Sequence, residues 1–403
     1  MKTGSSFFLS MYDGEFQGTI TSDAMKITRL ETIPINVPLV PDLTTKTAHG
    51  EHVVSPYVIV RVHTDAGLVG LGEATLAPRW SGETSPGCVA VIDGLIAPLL
   101  VGEDPTQIDS LRPKIEGCIR WNPFTKAAVE MALWDLAGKA AGVPVCELLG
   151  GSQEDDIPIK MVVGAFEIPK AVALVKRFLD DGAKCLKVKV GLDPEQDIER
   201  VRAVRQLAGP QIPIGVDANG GWDFVTARRM LGSLEEFDLL FVEQPIPPGD
   251  PLAMAELRSA SPTPIMADES VFTITDAQGL ARHSSVDILG CYPGKHGGIA
   301  ATLEIAQVAR NAGIVCCLGS NLELGIGTAA MLHVVAACSV FDNQTYPADL
   351  IGPLYHQADM LVEPLLLGPA TAKVPRGPGL GVELDEQQLE RYRDRSTVAQ
   401  PMD

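Results

Sequence analysis

Three things are scarce in this chain, and each scarcity excludes a class. It has no apolar run of the roughly 18–20 residues that a membrane helix needs. The longest such stretch, around Ala329–Val340, is interrupted by His333 and flanked by polar residues. Positive charge is in deficit: 32 Lys and Arg stand against 51 Asp and Glu, a net charge of −19. That balance argues against nucleic acid or an anionic membrane surface as partner. None of the eight cysteines forms a C-x-x-C pair, and most lie inside apolar segments. Buried free thiols in a reducing compartment are the expectation, which points to a soluble, cytoplasmic protein. A secretory leader is not indicated either, because the only apolar stretch within Met1–Ala24 is Phe7–Leu9. Regular patterning begins at Met25, so residues 1–24 read as a loose extension, as does the polar tail from Arg393.

What is present is ordinary globular composition, 46% hydrophobic and 21% charged, over 403 residues. That length suits a large barrel with a second domain. Up to about Ile119 the pattern is mixed. Ile27–Pro38 and Val53–His63 read as strands, Leu68–Glu73 as a short return strand, and Phe124–Ala141 as a helix stopped by Gly142-Val143-Pro144. After Gly150-Gly151 the rhythm becomes regular. Short apolar strands at Ile159–Val163, Cys185–Val190, Ile214–Ala218, Leu239–Glu243, Ile265–Ala267, Asp287–Tyr292 and Ile314–Leu318 alternate with helical patterns. A repeat of roughly 25–30 residues means a parallel sheet with crossover helices, and seven or eight such units close into a barrel. The Pro/Gly-rich segment after Pro353 is expected to return to the first domain.

Barrels of this kind carry their chemistry at the C-terminal ends of the strands. Lys187 and Lys189 end the second strand, and their spacing of two puts both on the barrel's inner face. Asp217, Glu243 and Asp268 end the third, fourth and fifth strands, 26 and 25 residues apart. One acid at a strand end is commonly a helix cap or a surface residue. Three at successive ends would repel unless a cation sat between them, and an all-oxygen ligand set suits Mg²⁺.

These residues, in Lys187-Val188-Lys189, Asp217-Ala218-Asn219, Glu243-Gln244-Pro245 and Asp268-Glu269-Ser270, resemble the enolase superfamily in its muconate-cycloisomerase subgroup. Gly70–Ala74, Ala127–Leu136, Leu148–Gly151 and Pro375–Gly381 extend the likeness over nearly the whole chain from Met25. The resemblance implies an α/β fold, a modified TIM barrel (β/α)₇β over residues 151–352. An α+β capping domain would span residues 25–150, completed by residues 353–403. It also implies one Mg²⁺ per site on Asp217, Glu243 and Asp268, with Mn²⁺ as a substitute. Lys189 would be the base that removes a proton α to a carboxylate. Lys187 would be the neighbouring cation that keeps it neutral and helps hold the enolate. A small carboxylic-acid substrate and a homo-oligomer, dimer to octamer, are the expected partners.

Two positions depart from the family pattern. Where relatives carry a lysine ending the sixth strand, this chain has Tyr292, with Lys295 three residues later. Lys295 is either a helix-start cation or a second group brought into the site by a local shift. Near the eighth strand, Asp349-Leu350-Ile351 keeps only the first acid of the Asp-x-Asp pair of dipeptide epimerases, which makes a dipeptide substrate a poor match. Glu323 aligns with a carboxylate near the substrate, and a helix-start acid is the plain alternative. His49, His52, Arg79 and Trp80 fall in the two loops that form the family's lid, and Asn219 and Asp349 join them as substrate contacts; solvated loop residues are the plain alternative. Gly325–Ala330 fits G-x-G-x-x-A, but Asn321–Leu324 separate it from the strand, so no nucleotide site follows. Cycloisomerisation is the leading reaction. The alternatives are elimination of water from a hydroxy acid or hydroxy amino acid, racemisation or epimerisation, and a catalytically silent binding barrel.

Overall fold

The computed structural model describes residues 25–151 and 156–396; the expected extension over residues 1–24 and the last tail residues lie outside them. The chain opens with a three-stranded antiparallel sheet, Ile27–Pro38, Val54–Thr64 and Val69–Thr75, with Val54–Thr64 in the centre. Tyr57, Val58, Ile59 and Val60 on that central strand are all fully buried, so the sheet is covered on both faces rather than one. The cover comes from Pro123–Ala141 and the helical stretch Ser85–Leu100.

Helix Pro123–Ala141 joins this cap to the rest of the molecule. Proline at its first position needs no partner for its missing N–H, and Gly142, with φ of 72°, closes the other end in the left-handed region. The helix can lie against the sheet only because two sheet positions are glycine. A Cβ at Gly72 would sit 1.7 Å from the Ala128 carbonyl oxygen. On its other side, the Glu130 carboxylate accepts the N–H groups of Ile299 and Ala300, which open a barrel helix. Asp135 accepts from Leu71 in the cap and from Leu380 in the C-terminal segment.

Seven parallel strands follow in sequential order: Met161–Val163, Leu186–Lys189, Ile214–Asp217, Val242–Glu243, Ile265–Ala267, Ile288–Cys291 and Val315–Leu318. In this order they are the first to seventh strands of the barrel. The eighth position is reduced to Ala348-Asp349. Ala348 bridges Ile159 in parallel, and the Asp349 N–H donates to Leu318 O, so two residues link the first stave to the seventh. Phe241, Met266, Ile288 and Cys317 form a separate apolar cluster, with Phe241 packed where Gly215 has no side chain. The C-terminal segment returns to the cap: Ile35 pairs with Arg393, and helix Glu386–Tyr392 packs on the first cap strand. Among the described residues, no helix is long and apolar enough to cross a membrane.

Candidate active site

Between cap and barrel lies a cavity of about 490 Å³. The cap contributes two loops. One is the short hairpin Thr45–Thr47 and Gly50–His52, which carries His49 at its turn and His52 at its end; the other carries Arg79 and Trp80. The barrel contributes Lys187, Lys189, Asp217, Asn219, Glu243, Asp268 and Asp349. Eleven of the sequence-selected residues therefore line one cavity. Tyr292, Lys295 and Glu323 do not line the cavity.

The second strand delivers two ammonium groups to the cavity. Lys187 Nζ lies 2.5 Å from Asp349 Oδ2, 3.1 Å from Glu243 Oε2 and 3.6 Å from Asp217 Oδ2. Burial disfavours its charge, but the Asp349, Glu243 and Asp217 carboxylates outweigh burial and hold its pKa well above the ordinary lysine value. Lys189 Nζ donates to Asp217 Oδ2 at 2.5 Å and to Asn219 Oδ1 at 3.1 Å. The same cations hold Asp349 and Asp217 below the usual carboxylate range, against the pull of burial. Glu243 goes the other way: burial and the nearby Asp217 push it up to about 8. Asp268 is raised by burial as well, with Lys295 opposing.

Of the three strand-end acids, Asp217 and Glu243 share the Lys187 ammonium and Asp268 pairs with Lys295. Among the described residues, no three His, Cys, Asp or Glu side chains are grouped closely enough to hold a metal ion between them. The physical reason is like-charge repulsion, which turns each carboxylate toward its nearest cation.

On the sixth strand the chain behaves differently. Cys291 ends the strand, Tyr292 turns inward, and the short helix Pro293–His296 carries Lys295 back beneath the fifth strand. Lys295 is fully buried and donates to Asp268 Oδ1, Asp268 O and Gly290 O. Lys295 does stand at a helix start, as one of the two readings expected. The ammonium is not solvated but locked against the Asp268 backbone and carboxylate. Lys295 itself is not among the residues lining the cavity, although its partner Asp268 is. Tyr292 is also fully buried, packed against Trp80, Phe124 and His296, and its hydroxyl has no partner. Burial, with Asp268 and Glu323 nearby, holds its pKa well above that of a free phenol. Glu323 sits behind the seventh-strand loop, accepting from Ser320 Oγ and the Asn321 N–H, with burial raising it to about 7. It braces that loop instead of reaching the cavity.

Two residues quoted only as parts of motifs prove central. Gln244 leaves the fourth strand with φ of 37°; its Oε1 accepts the N–H groups of Asp268 and Ser270, fixing the turn after the fifth strand. Glu269 Oε1 accepts from His49, Trp80 and Asn219, three segments far apart in the chain. Both could have been suspected from their places beside Glu243 and Asp268, but nothing local marks the partners of Glu269. His52 has its own support: Nε2 meets Ser55 Oγ at 2.7 Å, and Ser55 meets His356 Nε2 at 2.7 Å.

Residues 31–150 match the mandelate racemase / muconate lactonizing enzyme N-terminal domain family, and residues 170–388 match the enolase C-terminal domain-like family. The chain is 34% identical to muconate cycloisomerase 1 of Rhodococcus opacus, over 91% of this chain and 98% of that protein. The solved muconate lactonizing enzyme of Pseudomonas fluorescens, in complex with muconolactone, superposes with a TM-score of 0.88 at 33% identity; the match covers 92% of this chain and 100% of that one. A dipeptide epimerase from Cytophaga hutchinsonii, solved with Mg and the dipeptide D-Ala-L-Val, gives a TM-score of 0.86 at 30% identity; the match covers 92% of this chain and 98% of that one. With both domains matched and the barrel-end lysines and acids in one cavity, the chain is an enzyme of the enolase superfamily, in the mandelate racemase/muconate lactonizing enzyme family.

Proposed function

We propose that this enzyme cycloisomerises a small unsaturated dicarboxylic acid of the muconate type. The observation that carries this reading is the one-sided placement of lysine. Lys187 and Lys189 reach the cavity from the second strand, while Tyr292 and Lys295 at the sixth stay out of it. Racemisation needs a second base on the other face of the substrate; ring closure with proton return on one face does not.

Asp217, Glu243 and Asp268 are the residues that would hold Mg²⁺. They fit it by chemistry, being three carboxylates on one cavity wall with oxygen as the only donor. Binding would require the ion to displace the present ammonium contacts of Asp217 and Glu243. When bound, Mg²⁺ supplies Lewis-acid stabilisation of negative charge on the substrate carboxylate.

The chain's own groups do the rest. In the ring-opening direction Lys189 takes the proton from the carbon next to the carboxylate, and the electron pair left behind expels the ring oxygen. In the closing direction the free carboxylate adds to the double bond and Lys189 returns the proton to the same carbon. Lys187, kept cationic by Asp349, adds positive charge where the enolate forms. The cap loops exclude water, so the enolate is not quenched from solvent. The thiols, free in all eight cysteines, support a reducing, cytoplasmic setting.

The test is incubation of the full chain with cis,cis-muconate and a panel of small hydroxy and N-acyl acids, with Mg²⁺ in D₂O, followed by NMR. Lactone carrying one deuterium next to its carboxylate is the expected product. Water loss from a hydroxy acid without lactone would assign a dehydratase instead. Activity that survives exhaustive chelation would contradict the role given to the three acids.

A further inference from the structure

We propose that Glu269 is the latch of the lid and that it connects lid closure to the position of Lys189. Insofar as it concerns a base, the inference rests on the reading above; the latch itself does not.

One oxygen carries the argument. Glu269 Oε1 receives His49 Nε2 at 3.1 Å from the first cap loop, Trp80 Nε1 at 3.1 Å from the second, and Asn219 Nδ2 at 3.0 Å from the end of the third barrel strand. A carboxylate can only accept here, so His49 must carry its proton on Nε2. The two loops are also tied to each other, since Arg79 donates to His49 O at 3.3 Å. Both lid loops thus reach the barrel at one shared atom. Asn219 continues the connection: while its amide N–H₂ is held by Glu269, its Oδ1 accepts from Lys189 Nζ at 3.1 Å. The amide has only one orientation that serves both neighbours. When Glu269 holds Asn219, the oxygen faces Lys189; without Glu269 the amide is free to rotate and the lysine loses an anchor.

The position of this junction gives it consequence. His49, Trp80 and Asn219 line the catalytic cavity and also a second, outer cavity of about 830 Å³, whose wall includes Glu269, Phe272 and Trp121. The contacts to Glu269 therefore stand in the partition between the two. Trp80 is further held by Phe272, with ring centres 5.1 Å apart and planes tilted by 37°, so the indole is packed as well as hydrogen-bonded. Breaking the Glu269 contacts would open the partition from the lid side and loosen Lys189 from the barrel side. Glu269 acts here as a positioning residue.

The experiment compares the full-length wild type with Glu269→Ala and Glu269→Gln, the latter keeping an acceptor oxygen. Amide hydrogen exchange, read without any substrate, is expected to rise by about tenfold or more in both loops, residues 45–52 and 77–82, in Glu269→Ala, leave the cap core at 58–62 unchanged, and recover in Glu269→Gln. Exchange that is unchanged in either loop, or raised throughout the cap, overturns the latch. With cis,cis-muconate as probe, Glu269→Ala is expected to raise KM and to lower kcat by about tenfold, because substrate retention and base position both suffer. A change in KM alone overturns the connection to Lys189. If the wild type does not turn over muconate while both loops respond as described, the reaction assignment fails and the latch stands.

Discussion

The second and sixth strands lie four staves apart round an eight-position ring; the second ends in two lysines, and the sixth is followed closely by one. On the second strand the side chains alternate along extended backbone, so Lys187 and Lys189 both point inward and both reach the cavity. On the sixth the strand ends at Cys291, and one turn of helix redirects Lys295 into the wall, where it braces Asp268. The same residue type thus serves chemistry on one side and structure on the other. Local backbone geometry makes the difference, and under the proposed reaction it leaves one face of the substrate without a base.

Replacing the lysine on the active side should do the greatest damage. Lys189→Ala is expected to cut turnover by roughly 100- to 10,000-fold, the usual contribution of a general acid–base group, with the fold retained because Lys187 still faces Asp217. Steady-state kinetics and a melting curve on the same preparation decide it; retention of most activity would assign the base elsewhere.

The buried lysine should show the opposite profile. Lys295→Met leaves the Asp268 carboxylate facing a lost partner, and breaking such a buried pair costs about 3–5 kcal/mol of stability. Denaturant unfolding measures this. Residual activity, where the protein folds, should exchange the same substrate hydrogen as wild type. A variant of full stability that exchanges a different hydrogen would place Lys295 at the substrate.

The smallest effect belongs to Tyr292. Its hydroxyl is buried without a partner, so Tyr292→Phe removes an unsatisfied group and should leave kcat within about threefold, with stability equal or higher by about 1 kcal/mol. A collapse of kcat would make the phenol a proton donor and equalise the two sides of the cavity.

Much of this was readable in the sequence because the barrel repeats. Strand ends recur at near-constant intervals, so Asp217, Glu243 and Asp268 announce one another, and the Lys-x-Lys spacing fixes a shared face. The helix Pro123–Ala141 carries its stop signal in Gly142 and Pro144. What stayed hidden depends on folding at a distance. Glu269 is adjacent to Asp268, yet its partners His49 and Trp80 lie 220 and 189 residues away. The hairpin at Thr45–His52 is too short for any periodicity to declare it. The fate of Lys295 turns on four residues of helix, Pro293–His296, from which its ammonium reaches Asp268 and Gly290, and spacing alone does not reveal those partners. The eighth strand, reduced to Ala348-Asp349, is held by partners from both ends of the barrel and has almost no local signature.

The claim of a single base is tested most directly on the wild-type enzyme with muconolactone in D₂O and Mg²⁺. The carbon next to its carboxylate bears two hydrogens, which NMR distinguishes once one is replaced. A lone base at Lys189 predicts that only one of the two is exchanged, at a rate tracking ring opening, and that exchange disappears in Lys189→Ala. Exchange of both hydrogens at comparable rates would show that groups on both faces move protons and would contradict the account.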